Sequence, residues 1–536
     1  MFGHGPSFHY RATAAALSLV FLAGCATSVP ELNRTNALAN KTINLSDTDA
    51  TTLQQFLTAG ELTSVQLVAA YLDRIGTYEF ASSDQPGINA ITNLNPRAVA
   101  DAVSMDEERA RGHIRGPLHG IPVLVKDVVD VSGLPTTGAL ESLRELVVDD
   151  DATQVQLLRQ AGAIILGKTN VLEVDGRGAG SFGGDTRNPY DQSRHPGFSS
   201  GGAGAAVAAG FAPISLAEDT FGSVRIPAAL TNLVGLRPTA GLTSLNGVQR
   251  LSWTYDTLGP ITTSVRDAAL VLDATVGYDP TDPRSVDVDK TDDGYTSQLD
   301  TKALEGKRIG VLDAWFSTDT PDRAATSAVI RAAVDQMEAL GASIVHAEIP
   351  TTAMDDFSSI GRNIIGFELP DAQNTYLSEH QLPAVAALSA PTDTLTRADL
   401  QAFSGALDPA DPAAVAQADA PTVSESDYRT ALAARERFAT AVAAYMKDNN
   451  LDALVYPSMQ QPASPLGTSD PFLTERLASE AGLPALSLPA GLVGQMPVGI
   501  ELMGRAFDEA TLLSMGYAFE QGTDHRNLPT TTPQLK

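Results

Sequence analysis

The chain has 536 residues, 43% of them hydrophobic, which is enough for one large core or two smaller ones; length alone does not choose. Its formal charge is 36 − 64 = −28, so a phosphate backbone would be repelled and nucleic acid is not expected as a partner. With a single cysteine, an intramolecular disulfide is excluded.

Residues 1–24 read as an export signal. Arg11 precedes the apolar stretch Ala14-Ala-Ala-Leu-Ser-Leu-Val-Phe-Leu22, too short to span a bilayer, and small residues follow in Leu22-Ala-Gly-Cys25. This tetrapeptide resembles a bacterial lipobox. The resemblance implies cleavage before Cys25, lipid on its thiol, and a protein anchored to a membrane of the bacterial envelope, facing the periplasm; the alternative is an ordinary cleaved signal with an incidental cysteine. Ala26 after the cysteine, rather than Asp, points to the outer membrane where the source has one. Residues 25–43, with Thr, Ser, Asn and Pro and little periodicity, read as a flexible tether, and 44–536 as the folded domain.

Across 47–74, Leu53, Phe56, Leu57, Leu67, Tyr71 and Leu72 recur at helical spacing, and Gly60 predicts a break between two helices. Residues 123–125 and 163–166 are short apolar strands around a helix over 152–161, which predicts a mixed, twisted sheet covered by α-helices on both faces: an α/β fold. Residues 308–312 and 342–345 are two further strands around a helix over 324–340. The Ala-, Pro- and Asp-rich stretch 385–425 reads as a variable insertion.

Three segments carry chemistry: Gly120-Ile-Pro-Val-Leu-Val-Lys126-Asp127, Pro196-Gly-Phe-Ser199-Ser-Gly-Gly-Ala-Gly204 and Asp219-Thr-Phe-Gly-Ser223-Val-Arg225-Ile-Pro227. A hydroxyl is a poor nucleophile until something takes its proton, and a lysine can do so only when neutral. The apolar neighbours of Lys126 would bury it, and burial favours a neutral amine. Two other motifs compete. Gly162-Ala-Ile-Ile-Leu-Gly167-Lys168-Thr169 fits a phosphate-binding loop by letter, but Ala163-Ile-Ile-Leu166 is strand-forming and apolar, so Lys168 reads as a structural residue at a strand end. Gly197-Phe-Ser199-Ser-Gly201 fits a nucleophile elbow, in which Ser199 would attack with His346, His380 or His525 as base; yet the preceding Asp191-Gln-Ser-Arg-His-Pro196 is polar, not an apolar strand.

The chain resembles the amidase signature family. Besides the three segments, the resemblance rests on Gly167-Lys-Thr-Asn170, Thr186-Arg-Asn-Pro-Tyr190, Gly235-Leu-Arg-Pro-Thr239, Gly259-Pro-Ile-Thr-Thr-Ser-Val-Arg-Asp267, Gly482-Leu-Pro-Ala485, Leu488-Pro-Ala-Gly491 and Pro497-Val-Gly-Ile-Glu-Leu-Met-Gly504, in the family's order. It implies the family's fold for 44–536 and an amide hydrolase with a Ser-Ser-Lys triad: Ser223 as nucleophile, Ser199 as bridging serine, Lys126 as base. The N–H groups of the turn Thr220, Phe221, Gly222 and Ser223 would form an oxyanion hole, with Asp219 and Arg225 holding that turn. A small-molecule amide is the expected substrate, with no metal or organic cofactor. An ester or urethane hydrolase on the same triad, or a non-catalytic surface lipoprotein, are the alternatives. The family's tRNA-dependent amidotransferase subunit is disfavoured by the export signal. Two positions depart from the family pattern, Phe198 and Phe221, where glycine is usual. The resemblance also implies a cis peptide bond before Ser199.

Overall fold

Alternating side chains build an 11-stranded sheet with helices on both faces. The computed structural model describes residues 43–535 except 84–85, 141–142, 172–182, 289–293, 350–356, 381–422 and 469–475. The export signal 1–24, Cys25 and the tether lie outside the described residues, Ile43 apart, as does the predicted insertion except at its last three residues. Every helix and strand among the described residues belongs to the unit from Asn44 onward.

The first two helices are α1 (Ala50–Thr58) and α2 (Ser64–Tyr78), separated at Gly60 with φ +68° as its position predicts. Asp49 accepts from Thr52 N to start α1. Thr63 and Gln66 form a reciprocal capping box that starts α2. There follow β1 (Ile91–Leu94), α3 (Ala98–Ala110), β2 (Pro122–Lys126), α4 (Thr153–Gln160), β3 (Ile164–Thr169), α5 (Gly201–Ala208), β4 (Ile214–Asp219), α6 (Arg225–Leu230), β5 (Val234–Arg237), β6 (Thr257–Thr262) and α7 (Val265–Thr275). Next come β7 (Arg308–Leu312), α8 (Pro321–Ala339), β8 (Ser343–Ala347), α9 (Phe357–Glu379), α10 (Glu425–Asp448), β9 (Ala453–Pro457), α11 (Arg476–Ala481), β10 (Ala485–Val493), β11 (Met496–Met503) and α12 (Glu509–Gly522). Helix α8 begins three residues before its apolar period does, because Thr320 caps it and Pro321 fits its first turn. Ser424 likewise caps α10, so Glu425, taken as the end of the insertion, is the first residue of a helix.

The strand order is β1-β3-β2-β4-β6-β5-β10-β11-β9-β7-β8. Strand β2 runs parallel to both β3 and β4, and β7 is parallel to β8 and β9, whereas the centre from β4 to β9 is antiparallel. Strand side chains point alternately to opposite faces. In β9, Ala453 and Val455 therefore join a core with α7, α8 and α12, and Leu454 and Tyr456 join another with α10 and α11. Both faces are covered, so β2, β4 and β6 are buried along their whole length, the polar Lys126, Glu218 and Asp219 at the strand ends included. Among the described residues no helix is long and apolar enough to cross a membrane.

Candidate active site

Lys126 is the last residue of β2 and is fully buried. The parallel pairing of β2 with β4 sets it beside the end of β4. Its Nζ lies 2.7 Å from Ser199 Oγ, 2.8 Å from Glu218 Oε2 and 3.3 Å from the Glu218 carbonyl oxygen. The apolar wall expected around Lys126 is thus interrupted by a buried carboxylate. No motif in the sequence singles out Glu218; the signal available is its place directly before Asp219, which the resemblance assigns to holding the Ser223 turn.

Ser199 sits in the turn that leads into α5. Gly197 in that turn has φ +129°, and a Cβ there would come within 2.9 Å of the Pro227 backbone, so glycine alone allows the turn to press against the segment after Ser223. Phe198 packs against the core cluster that also contains Val224 and Ile226. No described peptide bond is cis, so the bond before Ser199 is trans, contrary to what the resemblance implies. Ser199 and Ser223 are 8% and 7% exposed, sheltered but open enough for a small group to reach them. Among the described residues no hydrogen bond joins their two hydroxyls; apo sites commonly tighten only on binding substrate.

The Ser223 turn is held by a buried charge cluster. Asp219 Oδ1 accepts from Gly222 N at 2.8 Å and Oδ2 from Val224 N at 3.0 Å, while Arg225 Nε and Arg237 Nη1 reach the same carboxylate at 3.2 and 2.7 Å. Arg225 Nη1 also meets Glu501 Oε1 at 2.5 Å, and Tyr456 donates to that oxygen at 2.7 Å. Burial opposes ionisation of Asp219, but Arg225 and Arg237 outweigh it and hold the carboxyl below the usual carboxylate range. Because Gly222 N–H is committed to Asp219, the expected set of four oxyanion donors is narrowed. The N–H groups of Thr220, Phe221 and Ser223 carry no hydrogen bond among the described residues, and the Thr220 hydroxyl donates to Glu218 Oε1 at 2.8 Å. Phe221 turns into the helical layer, its ring 4.7 Å from that of Tyr255 and under the Arg476 guanidinium.

The competing motifs separate from this site. Residues 164–169 form strand β3, and Lys168 is buried against Asp127 at 3.1 Å, so no phosphate-cradling loop exists there. His346 contacts Asp313, His380 lies 2.9 Å from Asp130 and His525 meets Gln336; none of the three is joined to Ser199. Two cavities of about 350 and 530 Å³ are lined by other residues, around His525 and around Trp253 and Arg435, and neither is lined by Lys126, Ser199 or Ser223. Among the described residues no group of three or more His, Cys, Asp or Glu is placed to hold a metal ion.

The chain is similar to known proteins over most of its length. The profile of the family described as Amidase matches residues 66–513. The chain is 34% identical over 508 residues to a glutamyl-tRNA(Gln) amidotransferase subunit from Moorella thermoacetica, covering 89% of this chain and 97% of that one. Among solved structures, native peptide amidase from Stenotrophomonas maltophilia superposes with a TM-score of 0.81 at 35% identity, covering 91% and 99% of the two chains. An amidase family protein from Bacillus anthracis superposes at 0.76 with 29% identity, covering 92% and 97%.

Proposed function

Because the chain belongs to the amidase family, we propose that it hydrolyses a carboxylic amide C–N bond through an acyl-enzyme, with Ser223 as nucleophile, Ser199 as bridging serine and Lys126 as base. The observation that carries this reading is the 2.7 Å contact between Lys126 Nζ and Ser199 Oγ at a buried strand end, in a turn packed against the segment that follows Ser223. The Ser223 hydroxyl passes its proton to Ser199, whose own proton goes to Lys126. The freed Ser223 Oγ attacks the carbonyl carbon. Negative charge on the carbonyl oxygen is met by the N–H groups of Thr220, Phe221 and Ser223. The proton returns through Ser199 to the leaving nitrogen as the C–N bond breaks, and water then releases the acid from Ser223.

The likeness to peptide amidase favours a peptide-type or other small amide as substrate, with esters and urethanes as further candidates on the same triad. The likeness to amidotransferase subunits favours glutamine as a second reading. A hydrolysis panel of peptide amides, aryl amides, esters and glutamine separates them, peptide amides being expected to turn over fastest. Labelling with a fluorophosphonate tests the mechanism. The adduct is expected on Ser223, lost in Ser223→Ala and slowed in Ser199→Ala; an adduct on Ser199 would refute the assignment and revive the elbow reading.

The Leu22-Ala-Gly-Cys25 segment supports an exported, lipid-anchored protein. Each buried CH₂ contributes about 0.8 kcal/mol, so two or more chains on one thiol hold a protein stably to a bilayer. Cys25→Ser is expected to move the enzyme to the soluble fraction with its activity intact. Unchanged membrane fractionation of that variant would count against lipidation.

A further inference from the structure

The surroundings of Lys126 contain more than a base needs to be buried, and the excess lies in one residue. Glu218 offers Nζ two oxygens, Oε2 at 2.8 Å and its own carbonyl at 3.3 Å, while Ser199 Oγ is the third contact at 2.7 Å. A neutral amine has two N–H donors and one lone pair. With both N–H groups on Glu218, the lone pair is left for the Ser199 hydroxyl. Once Lys126 takes that proton, the ammonium has three donors for the same three oxygens. The contact set therefore suits both protonation states without moving a heavy atom.

We propose that Glu218 is a positioning residue for the base: it aims the Lys126 lone pair at Ser199 and stabilises the ammonium that forms when the proton arrives. It relates to Lys126 as the carboxylate of a Ser-His-Asp triad relates to its imidazole, holding the base and its charged form without taking the proton. Glu218 is itself fixed, since Thr220 Oγ1 donates to Oε1 at 2.8 Å and Ser200 Oγ to its carbonyl at 2.9 Å.

Three other carboxyls lie near Lys126 and Glu218. Asp256, the other carboxyl that faces it, is pushed up to about 8 by burial and then by the charge of Glu218, so Asp256 keeps its proton at neutral pH. Asp219, next in the chain, is neutralised by Arg225 and Arg237, and Asp127, beyond Lys126, is paired with Lys168.

The inference rests on Lys126 as base, and the experiment keeps the two apart. Lys126→Ala tests the base itself: wild-type activity there would remove the reading beneath this one. Glu218→Gln removes the charge but keeps the shape. Its kcat on an amide is expected to fall by about tenfold or more, within the range that general-base groups contribute, with KM little changed and Ser223 still labelled by a fluorophosphonate. Without the carboxylate the ammonium is less favoured, so the acid limb of kcat/KM is expected to move to lower pH while the plateau drops. Glu218→Asp, which keeps the buried charge but draws it back by one methylene, is expected to recover part of the loss. Should Glu218→Gln fail to fold, Glu218→Asp decides alone, with a smaller change in the same directions. A wild-type pH profile and wild-type kcat in the folded variant, with only thermal stability reduced, would make Glu218 a structural ion-pair partner and overturn the proposal.

Discussion

At the scale of single residues, the site depends on backbone that only glycine adopts readily. Gly222 has φ +97°, which turns its N–H back to Asp219 while leaving those of Phe221 and Ser223 unengaged. An alanine there is strained by about 1–3 kcal/mol, and the strain falls on the segment whose N–H groups would meet the oxyanion. Gly222→Ala is therefore expected to lower kcat by a factor of ten or more, as loss of one such donor does, with a smaller effect on KM. Steady-state kinetics on an amide check this; a variant that lost only affinity would show that the turn does not face the reacting carbonyl.

At the scale of elements, the turn is braced by helices far from it in sequence. Helix α9 approaches the Phe221 ring at Gly361, where an added Cβ would sit 2.4 Å from Phe221 Cζ and 2.8 Å from Glu480 Oε1. The ring cannot bend, so it and the turn that bears it must shift. Overpacking of this kind costs about 1–3 kcal/mol. Gly361→Ala is expected to lower the melting temperature and, through Phe221, to reduce kcat as well; adding Phe221→Leu, which takes the ring out of the clash while Arg476 Nη2 remains 2.4 Å from the added Cβ, is expected to restore part of the melting temperature. If the single variant lost stability but kept full kcat, α9 would be a cover and not a brace. Helix α11 takes part in the same bracing, with Arg476 over the Phe221 ring and Ser479 Oγ 3.0 Å from Arg225 Nη2.

At the scale of the whole molecule, buried carboxyls set the response to pH. Burial pushes Glu79 and Asp256 up to about 8 and Asp267 and Glu520 up to about 7. In the unfolded chain such groups titrate near 4, so between about 4 and 8 the folded state binds more protons than the unfolded one. Their contribution is fully present below about pH 4 and is lost as pH rises through 7 to 8. Asp219 acts in the opposite sense, its contribution being lost only as pH falls below the ordinary carboxylate range, outside this window. The melting temperature is therefore expected to fall by several degrees from pH 5 to pH 8.5. The groups are buried, so added salt should leave most of that slope in place. A flat or rising profile over this interval would contradict the assignment.

Features determined by neighbours in sequence were legible in the chain alone. The two helices parted at Gly60, the strands around 123–125 and 163–166, the two strands around α8 and the two glycine-rich serine turns all come from period, capping and backbone freedom, which act over a few residues. The pairing of Lys126 with Glu218, 92 residues away, does not. Nor do the grip of Glu501 on Arg225 across 276 residues and the turn of Phe221 into a helical layer. A buried charge takes its partner from whichever strand lies beside it. That neighbour is chosen by the sheet order, in which the late strands β10, β11 and β9 stand between β5 and β7. The order settles only when the whole chain has buried both faces of its sheet. Sequence therefore named the groups proposed to carry the chemistry, and the packing of distant strands decided what holds each of them in place.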